Sequence, residues 1–143
     1  MYGTDRNAMR RAYAHAWQKR REGRPLEALE ALMADLIEAH PEYHPLLENL
    51  DTQLERDWQP EHGETNPFLH LSLHLALREQ VLSDRPAGIA ALYKRLCDRH
   101  RDVLEAEHRL MDCLIEALWT AQRQGLPPDE AAYLECAQRL ARG

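Results

Sequence analysis

Apolar positions recur every three or four residues along most of this chain, the spacing of helices with one buried face. Over residues 5–22, Met9, Tyr13 and Trp17 fall at i, i+4 and i+8, with Ala12 and Ala16 beside them. Gly23 ends this helix, and Pro25 predicts the start of a second at its first-turn position, where a missing N–H costs nothing. The second helix runs to about residue 39 with Leu26, Leu29, Met33, Leu36 and Ile37 inward, until His40-Pro41 breaks it. Two prolines make the short helix up to Leu50 irregular. Residues 51–65 read as an extended connection with Trp58 as an anchor.

Residues 66–82 carry two patterns at once. Leu69, Leu71, Leu73, Leu75 and Leu77 alternate with His70, Ser72, His74 and Ala76, which is the period of a strand. Against this, Asn66-Pro67 is a good N-cap and first-turn pair, and the run is built from helix formers with no β-branched residue before Val81. A central helix, apolar almost all round, is the better reading. Pro86 opens a helix to about residue 97, with Ile89, Leu92, Tyr93 and Leu96 inward. Asp102 and Glu105 make a capping box ahead of a helix over 103–124, with Leu110, Met111, Leu114, Ile115 and Leu118 on its core side. Gly125 stops it, and Pro127-Pro128 leads into a last helix over 129–140. The expectation is an all-α, single-domain bundle over residues 1–143, with about five to seven helices.

With 143 residues, 44% of them hydrophobic and 29% charged, the chain has the balance of one globular domain. No apolar run approaches the roughly 18 residues of a membrane span, and the first residues lack the apolar core of a signal peptide. Cys97, Cys113 and Cys136 are odd in number and widely spaced, so reduced thiols in a bacterial-type cytoplasm are expected, with Cys113 as a small buried hydrophobe. Trp17, Trp58 and Trp119 are expected as core anchors.

The net charge of −6 is unevenly placed: residues 1–24 carry +5, residues 25–64 carry −10 and residues 65–143 carry −1. A basic first helix is a possible phosphate-binding face. With no recognised nucleic-acid module in an acidic chain, packing against the acidic segment is favoured, and nucleic acid is not expected as a partner.

Eight histidines change the picture more than the charge does. His40/His44 and His70/His74 are i, i+4 pairs, a spacing that sets two imidazoles one helical turn apart on one face, within reach of a single metal ion. His70 and His74 lead into Leu77 and Val81 on an inward stripe, and His108 lies on a similar stripe with Met111, Ile115 and Leu118. His70, His74 and His108 are therefore candidate ligands for a divalent transition metal. Glu105 and Glu107 are candidates for a carboxylate ligand, an orienting partner or a base. His40 and His44 are weaker candidates, because Pro41 interrupts their helix; they also suit a cap on the second helix. Hydrogen-bonded core histidines are the competing reading, at even odds for His70/His74. His15, His62 and His100 are expected at the surface or at caps. A single Glu-x-x-His, the absence of His-Glu-x-x-His and Cys-x-x-Cys, and the lack of glycine-rich or nucleophile-elbow motifs disfavour di-metal carboxylate, thioredoxin-type, nucleotide-binding and α/β-hydrolase chemistry. No catalytic residue is assigned.

HPEYH at 40–44, the run from Asp57 to Ala76, RPAGIAALY at 85–93, AEH at 106–108, ALWTAQR at 117–123 and PPDEAAYLE at 127–135 together resemble the bacterial domain of unknown function 1841 family over essentially the whole chain. That family has no established activity, so the resemblance implies no particular reaction. It does imply a histidine where this chain has Leu104, one turn before His108. His100 does not replace it, since eight residues along a helix span about 12 Å. The leading expectation is a mononuclear metal-binding helical bundle; the alternatives are an interaction or assembly module, with a protein partner or a second copy, and a pH-responsive bundle.

Overall fold

The structure, a computed structural model, describes residues 2–50, Trp58 and residues 66–142, with side chains from residue 6 onward. The elements are α1 (Tyr2–Arg21), α2 (Ala28–Glu38), a 3-10 turn (Pro41–Tyr43), α3 (His44–Glu48), α4 (Pro67–Ser83), α5 (Ile89–His100), α6 (Val103–Gln124) and α7 (Glu130–Arg142). No strand occurs among the described residues, and the all-α expectation holds with seven α-helices there. The chain forms two compact units, Met1–Leu75 and Ala76–Gly143, with the boundary inside α4. The expected extended connection over 51–65, with His62, lies outside the described residues apart from Trp58.

In the first unit, Tyr13, Ala16 and Trp17 of α1 pack on Met33, Leu36 and Ile37 of α2, on Leu47, and on Phe68, Leu71 and Leu75 of α4. Met9 and Leu29, expected inward, are exposed by 36% and 47%. At Gly23 (φ 70°) the chain takes a left-handed turn, which lets Arg24 N–H reach Lys19 O at 2.9 Å and closes α1. Pro25 does not start α2. Glu27 does, because its N–H donates to the Glu30 carboxylate at 2.9 Å and sets the first turn three residues later than Pro25 predicts. That N–H, together with Lys19, holds the Glu30 carboxyl below its usual range. The basic face of α1 meets the acidic segment as expected: Lys19–Glu30 and Arg20–Asp35 are 2.9 Å apart, and Arg21–Glu48 is 3.6 Å. Arg10 is buried, with its guanidinium over the rings of Trp58 and Phe68 at 5.2 and 4.9 Å.

The strand-like run of alternating leucines is helix α4. Asn66 caps it, its Oδ1 accepting from Phe68 N–H and Leu69 N–H at 2.9 and 3.3 Å.

In the second unit, Pro86 does not open α5. Asp84 Oδ1 accepts from Gly88 N–H and Ala90 N–H, and the helix starts at Ile89. Ile89, Leu92 and Leu96 of α5 and Leu110, Met111 and Leu114 of α6 are buried as expected. Asp102 caps α6 through Leu104 N–H and Glu105 N–H, while the Glu105 side chain turns to Arg109 at 2.9 Å. At its far end Gly125 (φ 68°) reverses the chain, and α7 returns along α6. The face that receives α7 runs through Cys113, Ala117 and Ala121. Ile115 and Leu118 lie outside it and are exposed by 45% and 44%, contrary to expectation. Trp119 is likewise no core anchor: it is 56% exposed, with Arg123 stacked 4.2 Å above its ring. Trp17 and Trp58 do pack on the core.

The cysteines also depart from expectation. Cys113 is buried, but it is joined to Cys136 in a disulfide with Cα atoms 5.8 Å apart; Cys97 alone is a free thiol. A sequence separation of 23 concealed the pair, because only the return of α7 along α6 brings the two together.

Replacing Asp102 by Ala removes the side-chain acceptor of two α6 N–H groups. Denaturant unfolding is expected to show a loss of about 1 kcal/mol, with an unchanged slope.

Candidate metal centre

Three imidazoles converge within the first unit. His70 and His74 stand one turn apart on α4, and their Nε2 atoms face each other at 3.2 Å. His74 is fully buried and His70 half-buried. His40 follows the end of α2 and brings its ring to 5.2 Å from that of His70 and 5.0 Å from that of His74. One ring nitrogen from each of the three lies within 4.8 Å of the others.

The local chain explains the pose of His40. Pro41 stops α2 there, leaving its last carbonyls in need of donors. His40 Nδ1 lies 2.7 Å from Leu36 O. A carbonyl oxygen only accepts, so Nδ1 carries the proton, and Nε2 is the nitrogen left to offer a lone pair to a metal. A backbone bond of this kind fixes the tautomer and orientation of metal-ligating histidines. Tyr43 stacks flat on His40, with centroids 5.4 Å apart and planes within 2°, and presents an edge to His70 at 6.2 Å. Burial, helped by Glu42, pushes the Tyr43 phenol above its ordinary range, so the aromatic wall is neutral.

His44, the partner of His40 in the sequence, does not join them. Its Nε2–H donates to Ile37 O at 2.8 Å, and its ring lies against Trp17 at 4.4 Å. Both histidines of that pair therefore cap α2, and His40 also faces the cluster.

The candidates of the second unit sit on α6. His108 is half-buried, one residue past Glu107. Glu107 is fully buried; it takes a two-pronged bond from Arg78 at 2.9 and 3.2 Å and a bond from the Tyr93 hydroxyl at 2.6 Å. This buried charge is thus balanced by a guanidinium and a neutral phenol. Glu105 is partly exposed and paired with Arg109.

Tyr43, Arg78 and Tyr93 had no part in the sequence reading of the site. Tyr43 was within sight of it, three residues after His40 in the HPEYH run. Arg78 falls at i+4 from His74, on the same helical stripe, but a charged residue is not ordinarily read as inward-facing.

A family model described as Domain of unknown function (DUF1841) matches residues 5–139. No curated protein and no solved structure matches the chain.

Burial and then Glu107 push the Tyr93 phenol well above its ordinary value, and burial does the same to Tyr133. In the unfolded chain these phenols ionise near pH 10, whereas in the folded protein they stay protonated. The unfolded state then binds fewer protons, so stability present below about pH 10 is lost as the pH rises further. Urea titrations across this range are expected to show falling stability, with a shallower fall for Tyr93→Phe. At neutral pH that variant is expected to be about 1–3 kcal/mol less stable, through loss of the bond to Glu107.

Proposed function

The chain belongs to the DUF1841 family, and we propose that it binds one divalent transition metal ion through imidazole nitrogens, with His40, His70 and His74 as ligands. The observation that carries this reading is the pairing of a tautomer set by Leu36 O on His40 with two facing Nε2 atoms 3.2 Å apart. Two nitrogens each about 2.0–2.1 Å from a tetrahedral zinc ion stand about 3.3–3.4 Å from one another. The donors are neutral and nitrogenous, with neither thiolate nor carboxylate among the three. This favours zinc and its neighbours in the first transition row over calcium or magnesium.

The placement of His108 in the sequence adds it to the proposal as a further donor. Three histidines leave an open coordination position, the condition for Lewis-acid chemistry at a bound ion; four close a tetrahedral site and make it structural. Glu107, locked by Arg78 and Tyr93, is proposed to hold its segment of α6 in place, and Glu105 has no proposed contact with the ion.

Elemental analysis of untagged protein grown in metal-supplemented medium tests the proposal. Near-stoichiometric metal is expected in the parent and in His15→Ala, and none in His70→Ala/His74→Ala. Chelator is expected to lower the melting temperature of the parent by several degrees and to leave that of the double variant unmoved. His108→Ala is expected to weaken retention, which checks its membership separately. Metal-free parent protein whose melting temperature ignores added zinc would overturn the reading and leave His40 and His44 as caps of α2.

A further inference from the structure

The second unit carries a cleft of about 300 Å³ between α6 and α7, and both disulfide cysteines line it. The two sulfur-bearing residues are unequal. Cys113 on α6 is 3% exposed, whereas Cys136 on α7 is half-buried. A disulfide opens by attack of an external thiolate on whichever sulfur it can reach. Both cysteines line the cleft, and Cys136 is the more exposed of the two.

The charge around the bond is also one-sided. Glu116, Asp129 and Glu135 line the cleft with a single cation, Arg139, which is itself bonded to Glu135 at 3.3 Å. Such a lining repels an anionic thiol and attracts a cationic one. Cys97, the free thiol of the chain, is not suited to attack, since burial pushes its thiol above the ordinary range and so lowers its thiolate fraction.

We propose that the Cys113–Cys136 bond is a thiol–disulfide exchange site whose reacting partner is a small cationic aminothiol admitted by the acidic cleft. The partner's thiolate attacks Cys136 Sγ, the sulfur–sulfur electron pair leaves on Cys113 Sγ, and that sulfur takes up a proton. A second aminothiol attacks its own sulfur in the mixed disulfide and releases Cys136 as a thiol. Two thiols are oxidised to one disulfide as the protein disulfide is reduced to two thiols, with two electrons and two protons transferred. The product lacks the bond that ties α7 back to α6. α7 then remains attached by its apolar packing, including buried Tyr133 and Ala137, with the Tyr133 hydroxyl donating to Gln80 at 2.7 Å.

The test uses the native full-length protein with cysteamine, 2-mercaptoethanol and mercaptoacetate as probes at matched thiolate concentration. Acid-quenched samples are alkylated and mapped by mass spectrometry. Reduction without denaturant is expected, about tenfold faster with cysteamine than with mercaptoacetate, with the difference collapsing in about 1 M salt. The trapped adduct is expected on Cys136. Glu116→Gln/Asp129→Asn is expected to narrow the preference while leaving the neutral probe unaffected. A bond that opens only in denaturant, a rate independent of probe charge, or an adduct on Cys113 would each overturn the proposal. None of these readouts depends on metal, so the exchange site and the metal centre fail separately.

Discussion

The hydrogen bond from His40 Nδ1–H to Leu36 O settles two matters at the same atom pair. It gives a donor to a carbonyl at the end of α2 whose i+4 partner, the His40 N–H, turns instead to Ile37 O at 3.0 Å. It also determines which nitrogen of His40 carries the lone pair, and hence what His40 presents to His70 and His74. A buried imidazole without a partner is costly, so three of them in contact require their protons to be apportioned in one consistent way. The bond at His40 begins that apportionment from the backbone, the least mobile partner in reach. Tyr43, stacked on the other side, holds the plane of the ring.

The second unit solves a different burial problem. Glu107 is an acid with no exposed surface, and removing a carboxylate from water costs several kcal/mol unless its oxygens are satisfied. Arg78 meets it with two bonds and Tyr93 with a short third. A lysine at 78 would bring the charge without the fork, leaving one carboxylate oxygen with a poorer partner. The first unit thus packs imidazoles whose proton positions matter, and the second buries a carboxylate whose geometry matters.

What could be seen in the sequence follows from how local each determinant is. Helix type, the caps at Asn66 and Asp102 and the stops at Gly23 and Gly125 depend on residues within four positions of one another, and they were legible. The pairing of His70 with His74 was legible for the same reason. Pro25 and Pro86 misled because each is permitted at a helix start without compelling one; Glu27 and Asp84 had the better claim on the free N–H groups. His40 lies beside His70 and His74 although Pro41 interrupts its helix, because that placement depends on the chain after α2 and not on helical spacing. Ile115, Leu118 and Trp119 were misplaced because an apolar stripe does not say which side a later helix will return along.

The disulfide belongs to that last class, and it contrasts with the way the first two helices are held. In α1 and α2 the sequence sets lysine and arginines against glutamates and aspartate, and the pairs at the surface respond to salt. In α6 and α7 the corresponding return is held by one covalent bond that ignores salt and responds to thiols. α7 buries Tyr133 and Ala137 fully and Leu134 and Leu140 in part. The bond adds a covalent tie to that packing, where α1 and α2 have ion pairs at the rim of theirs. The salt-sensitive pairs between α1 and α2 sit beside a buried apolar core that salt does not loosen, whereas the thiol-sensitive link between α6 and α7 is the disulfide itself.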